Sequence, residues 1–186
     1  RFSSASKETL MQQHLVISII SDDKPGVVEM LSAAVAENGG NWEDSRMAHF
    51  AGKFAGILRV SVSAENSARL KDALQSLAGA DFKLQIEDAL AVSADGRQTL
   101  QLKLVGNDRP GIVKEISRAL AARRINMETL DTRYGSTPWS GEPLFSAECT
   151  ISVSEEVSLD GLYDELDEIA DELGVEIDCE ETSSAL

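Results

Sequence analysis

Hydrophobic positions along this chain change period several times, and each change marks an element. His14–Ile20 is an apolar run rich in β-branched residues, the pattern of a buried strand. Val27, Val28, Leu31, Ala34 and Val35 then stripe one face of a helix. Pro25 suits its first turn, where a missing N–H costs nothing, and Gly39 suits its C-terminal cap. Asn41–Phe50 and Lys53–Ser63 read as a hairpin turning at Ala51-Gly52, with Phe54, Gly56, Leu58, Val60 and Val62 on one face. A short helix follows over Ala68–Leu77. Phe82, Leu84, Ile86, Leu90 and Val92 alternate along a last strand, interrupted on that face by Asp88.

The whole pattern then recurs. Ile20-Ser21-Asp22-Asp23-Lys24-Pro25-Gly26-Val27-Val28 aligns with Val105-Gly106-Asn107-Asp108-Arg109-Pro110-Gly111-Ile112-Val113, an offset of 85 that also carries Leu31 to Ile116 and Asn41 to Asn126. Solenoid units run at roughly 20–50 residues, so this is a domain copied once. In the second copy Leu100, Leu102 and Leu104 mark the first strand, and Ile112, Val113, Ile116, Ala119 and Leu120 the first helix. Phe145, Ala147, Cys149, Ile151 and Val153 alternate on the third strand. Leu159, Leu162, Leu166, Ile169 and Leu173 stripe the second helix, between an N-cap at Ser158 and a C-cap at Gly174. Val175, Ile177 and Cys179 close the sheet. One departure stands out: Gly135–Pro143, containing Trp139, is a long loop where the first copy has a tight turn, and it is placed to cover a partner or a cleft.

Each copy therefore reads βαββαβ. That is an α+β, ferredoxin-like arrangement with an antiparallel sheet, both helices on one face, and the first strand between the third and fourth. The expected boundaries are a leader at 1–13, domains at 14–92 and 98–180, a linker at 93–97 and a polar tail at 181–186. In this topology Cys149 and Cys179 stand two strand spacings apart, roughly 10 Å, which is beyond disulfide reach. They are expected to be free thiols.

Charge narrows the function. Lys plus Arg total 17 against 32 Asp plus Glu, a net charge of −15. Nucleic acid is gripped mainly through cationic contacts to phosphate, so direct DNA or RNA binding is disfavoured, as is an anionic membrane surface. Residues 1–93 carry net −3 and residues 94–186 net −12, and Lys and Arg are absent after Arg133. The acids Asp164, Glu165, Asp167, Glu168, Asp171 and Glu172 fall between the apolar positions of a helix, a solvated face and not a calcium loop. The longest aliphatic run, Leu15–Ile20, is far too short to span a bilayer. Two cysteines and no signal-peptide pattern point to the cytoplasm.

The Asp-Lys/Arg-Pro-Gly turns, with an asparagine 15 residues after each glycine, resemble tandem ACT domains. Asn41-Trp42-Glu43-Asp44-Ser45-Arg46-Met47-Ala48 is similar to the second strand of the glycine cleavage system transcriptional repressor family. The resemblance implies two modules that sense an amino acid, with glycine the candidate ligand. It implies action on a transcription regulator by protein contact, with pairing of modules in a homodimer or higher homo-oligomer. The alternative is a stand-alone amino-acid-binding module that controls a metabolic enzyme.

The candidate ligand-binding residues are Asp23, Gly26, Asn41, Asp108, Gly111 and Asn126. A helix N-terminus offers unpaired N–H groups and partial positive charge to a carboxylate. Glycine there opens the backbone to a ligand, and Asp or Asn side chains accept from an ammonium group. The same residue types also make turns unaided, so at this point both readings stand. If the second strand of one unit begins beside the first turn of a neighbouring unit, as the resemblance implies, these groups converge at an interface.

Enzyme signatures are missing. His14 and His49 lie outside any local ligand cluster, so neither a metal nor another cofactor is expected. The sequence lacks a nucleophile elbow, a P-loop and a dinucleotide fingerprint, and the reading is a non-enzyme.

Overall fold

The computed structural model describes residues 12–89, 97–137 and 140–181. The chain divides into two units, Arg1–Ser93 and Ala94–Leu186. The first runs β1 (Gln12–Asp22), α1 (Val27–Glu37), β2 (Gly40–Phe50), β3 (Lys53–Ser63), α2 (Ala64–Gln75) and β4 (Phe82–Asp88). The second runs β5 (Gln98–Asn107), α3 (Ile112–Ala122), β6 (Asn126–Ser136), β7 (Pro143–Val153), α4 (Leu159–Leu173) and β8 (Val175–Glu181). Strand orders are β2-β3-β1-β4 and β6-β7-β5-β8, antiparallel throughout. These are two ferredoxin-like βαββαβ domains.

The central strand organises each core. Leu15, Ile17 and Ile19 of β1 are buried and point toward the helices, where they meet Leu31 and Val35 of α1 and Leu70 and Leu74 of α2. Leu58, Val60 and Val62 of β3 lie on the same face. In the second unit Leu100, Leu102 and Leu104 of β5 play this part against Ile116 and Leu120 of α3 and Leu162, Leu166 and Ile169 of α4. Alternation with period two puts the intervening side chains on the opposite, helix-free face. Cys149 and Cys179 both stand opposite Leu102, on either side of it, as free thiols.

Three local expectations are corrected. Pro25 is not in the first turn of α1. It precedes Gly26, which caps the helix at φ 93 in left-handed geometry that a side chain would strain. The α2 helix starts at Ala64, four residues before the expected Ala68, with extended Ser63 as its N-cap. Its first turn carries Glu65, Asn66 and Ser67, all polar, so the apolar stripe begins only after the backbone has already coiled. β1 extends back to Gln12 and β8 forward to Glu181, because each follows its partner strand to the end of the ladder. Leu90, Val92, Trp139, residues 1–11, residues 93–96 of the expected linker and residues 182–186 of the tail lie outside the described residues.

The β2–β3 turn holds both Ala51 (φ 49) and Gly52 (φ 78) at positive φ, as the primed two-residue hairpin turns require. Alanine pays a steric penalty there that asparagine largely avoids. Ala51→Asn is expected to stabilise the first unit by about 1 kcal/mol. In a domain this size that raises the thermal midpoint by roughly 4–8 °C, measurable by calorimetry.

Candidate functional site

Each first strand ends in a turn that feeds straight into a helix, and the turn is tied down from several sides. In the first unit Asp22 meets Lys53 across the β1–β3 ladder, and that ammonium holds the Asp22 carboxyl below its ordinary range. The Asp23 N–H donates to the Gly52 carbonyl at 3.4 Å, while its carboxylate lies 3.4 Å from His49 Nε2 at the end of β2. Lys24 Nζ reaches Asp81 Oδ2 at 2.8 Å, and the carboxylate pushes the lysine up from its ordinary value.

The second turn repeats this anchoring with other groups. Asp108 N–H donates to the Pro143 carbonyl at 3.0 Å. Arg109 donates to the carbonyls of Leu173 at 2.9 Å and Glu172 at 3.3 Å, so a cation satisfies the C-terminal end of α4. Lys24 and Arg109 thus strap the turn to the last third of their own unit. Sequence reading took the basic residue as part of a turn motif. Its tethering role needed a partner 57 or more residues away.

Gly26 and Gly111 sit at φ 93 and φ 100 as the N-caps of α1 and α3, and neither helix start receives a side-chain cap. A Cβ at either glycine would meet nothing within 4 Å. Their glycine requirement is therefore conformational, and the backbone beside them is open. Shallow depressions flank the Gly26 backbone on both sides, one bordered by Pro25, Met30 and Phe82, the other by Asp23, Val28 and Phe54. The first N–H groups of a helix, uncapped and reachable, form an anion site in principle.

The asparagines are elsewhere. Asp22 pairs with Lys53 at one end of β3, while Asn41 pairs with Ser61 near the other. That separation along the strand is roughly 30 Å. Asn107 opposite Leu144 and Asn126 opposite Ser152 repeat the geometry. Within a unit, therefore, Asp23 and Gly26 come together and Asn41 stands apart; so do Asp108 and Gly111 relative to Asn126.

Comparison with known proteins agrees with this architecture. Residues 13–87 match the ACT domain family model. The chain is 30% identical to an unknown protein from Galdieria sulphuraria, with 92% of this chain and 99% of that one covered and a TM-score of 0.82. The chain belongs to the ACT-domain family. A protein provisionally named a glycine cleavage system transcriptional repressor shares the tandem fold at 23% identity and a TM-score of 0.71, covering 94% of this chain and 99% of that one. A search of curated proteins finds no match.

Both ACT units carry a polar cluster that sequence reading missed. Each edge strand is bulged just after its start, between Trp42 and Ser45 in β2 and between Met127 and Thr129 in β6. A bulge re-aims side chains, and here it turns Glu43 and Glu128 over the neighbouring strand. Ser152 Oγ donates to Glu128 at 2.7 Å, and Asn126 Nδ2 donates to the same oxygen at 2.8 Å. In the first unit Glu43 accepts from Arg59 Nε at 2.8 Å and lies 3.4 Å from His14 Nδ1, and Asp44 takes the other arm of Arg59 at 2.9 Å. Buried Ser61 stands where Ser152 stands, but its hydroxyl has no partner in hydrogen-bond geometry. It acts on Glu43 as a nearby dipole. The signal was present as Asn-x-Glu repeated at the same offset in both copies, though nothing in the sequence announces a bulge.

The thiols of the second ACT unit are unsuited to nucleophilic work. Burial pushes Cys149 up to about 11, and burial likewise raises Cys179, which Tyr163 contacts. Among the described residues no group of three or more His, Cys, Asp or Glu side chains could hold a metal ion. No described helix is long and apolar enough to cross a membrane.

The Glu43 carboxyl is held below its ordinary value first by the Ser61 hydroxyl and then by Arg59, against the opposing effect of burial. A depressed carboxyl contributes stability that is fully present above its unfolded-state value and is lost as pH falls through the folded one. Thermal midpoints of the wild type are thus expected to drop on acidification below the ordinary carboxylate range. Glu43→Gln should lower the midpoint at neutral pH and flatten that acid limb, as read from midpoints across a pH series.

Proposed function

We propose that this chain is a non-enzymatic regulator that senses an amino acid through its ACT units and acts on a transcription factor by protein contact. The observation that carries the reading is the open, uncapped helix N-terminus at Gly26, presented again at Gly111. A carboxylate docks on such N–H groups with help from the helix dipole. Asp23 or Asp108, beside that backbone, accepts from the ammonium group. A free amino acid carries both charges a bond or two apart, and glycine, with no side chain to place, is the first candidate.

Because Asn41 and Asn126 stand at the far end of their own sheets, their part in the site is to reach across from a neighbouring module. Ligand capture is then tied to pairing of ACT units in a homo-oligomer. The tandem fold shared with the protein provisionally named a glycine cleavage repressor supports the transcriptional role. So does the net charge of −15, which suits a protein that works through a partner and leaves the gripping of DNA to it. The setting of this role is the cytoplasm.

Calorimetry across the twenty amino acids tests the reading. Weak, selective binding is expected, with affinity reduced at least about tenfold by Asn41→Ala or Asp23→Ala, each removing an acceptor for the ammonium group. Flat traces from folded protein would sink the sensing role. Pull-down from lysate should recover a DNA-binding regulator, and recovery of a metabolic enzyme in its place would transfer the role to enzyme control.

A further inference from the structure

His49 lies one residue short of the end of β2, opposite Phe54, and its Nε2 is 3.4 Å from the Asp23 carboxylate. The two side chains are 58% and 53% exposed, so both a proton and a ligand can reach them. Asp23 and Phe54 border the same depression beside the Gly26 backbone. Every other charge around the turn has a partner or is acidic. Asp22 is paired with Lys53 of β3, and Lys24 with Asp81 just ahead of β4. Glu29 of α1 adds a further carboxylate at the border of the depression. Asp23 is left facing an imidazole.

Histidine is the side chain whose charge ordinarily changes between pH 5 and 8. A neutral ring leaves the Asp23 carboxylate to an incoming ammonium group. An imidazolium sets a full positive charge against that carboxylate and repels a second cation at contact distance.

We propose, on the amino-acid-sensing reading of this turn, that His49 is a further residue of the first unit's ligand site. Its protonation decides whether Asp23 is free to take the ligand's ammonium group. Ligand and proton therefore compete, so affinity is full above the histidine range and falls as pH drops through it. The second unit is built differently. Tyr134 stands opposite Phe145 where His49 stands opposite Phe54, and a phenol has no charge change in this range. Asn107 opposite Leu144 replaces the charged pair of Asp22 and Lys53. The two copies thus divide the work, one turn responding to ligand and acidity together and the other to ligand alone.

Calorimetry on the full chain carrying Asp108→Ala, which removes the second unit's ammonium acceptor, tests this. The probe is glycine, or whichever of the twenty amino acids binds tightest at about pH 7.5. Affinity should fall at least about fivefold on going to about pH 5.5, the size expected for one added unit charge at contact distance in water. Both conditions lie above the ordinary carboxylate range. Midway between them the binding heat should vary with the buffer's ionisation heat, because ligand capture expels a proton. Adding His49→Tyr, the second copy's residue at this place, should abolish both effects. His14, the other histidine, stands opposite Ser61 near the far end of β3 and is retained in that variant. Circular dichroism at both pH values checks that folding is unchanged. Binding that is equally tight at the lower pH, or a fall that persists with His49→Tyr, would overturn the proposal and leave the sensing reading intact. Absence of binding at the higher pH in the Asp108→Ala chain would overturn it too, and if the wild type is also silent the sensing reading falls with it.

Discussion

Everything in each unit is registered on its first strand. β1 is hydrogen-bonded on both sides, to β3 and β4, and it supplies the three side chains at the centre of the core. A one-residue slip would turn Leu15, Ile17 and Ile19 to the outer face and His14, Val16 and Ser18 into the core. That constraint fixes where the strand must end. The end of the strand fixes where the chain must turn, and the turn places the open N-terminus of α1. The same holds for β5 and α3. The candidate site is thus a by-product of sheet register, with the left-handed glycine as the joint that converts strand direction into helix direction.

Much of this was legible along the chain. Period-two alternation at Phe54–Val62 and period-3.6 spacing at Leu159–Leu173 are set by burial, which a sequence records directly. The tandem architecture followed from the internal repeat, and the free thiols from strand order. What escaped was decided by contacts at a distance. The bulge that aims Glu43 at Arg59 and Glu128 at Ser152 depends on pairing between strands, and pairing leaves no local trace beyond turn residues. The start of α2 escaped because Ala64 and Glu65 face solvent, Asn66 and Ser67 are polar, and the turn carries no apolar period. Of the six candidate residues, the two glycines were legible through their Pro-Gly context, whereas the distance between the turn and Asn41 emerges only once the strands are laid side by side.

Duplication offers an internal control. Where the two copies agree, at the glycine caps, the edge-strand bulge and the basic strap on the turn, a shared structural requirement is the simplest cause. Where they differ, on the helix-free faces, the fold has tolerated change because no helix of the unit packs there. The second copy has accumulated its acidity on those tolerant surfaces and on the outer side of α4, while the first has kept a nearly balanced charge. Cores of the same design can thus support surfaces of different charge.

The straps at Lys24 and Arg109 have a consequence for how the chain is made. Each joins the first turn of its unit to residues near the unit's end, and β1 likewise waits for β3 and then β4 before both of its edges are covered. Contacts of such long sequence separation form late, since the loop must close before they repay its entropy. As the polypeptide leaves the ribosome, the central strand of a unit therefore emerges first and remains unpaired while most of that unit is still to be synthesised. A nascent first unit holds that exposed strand until β4 arrives, the interval in which protection by a chaperone counts most.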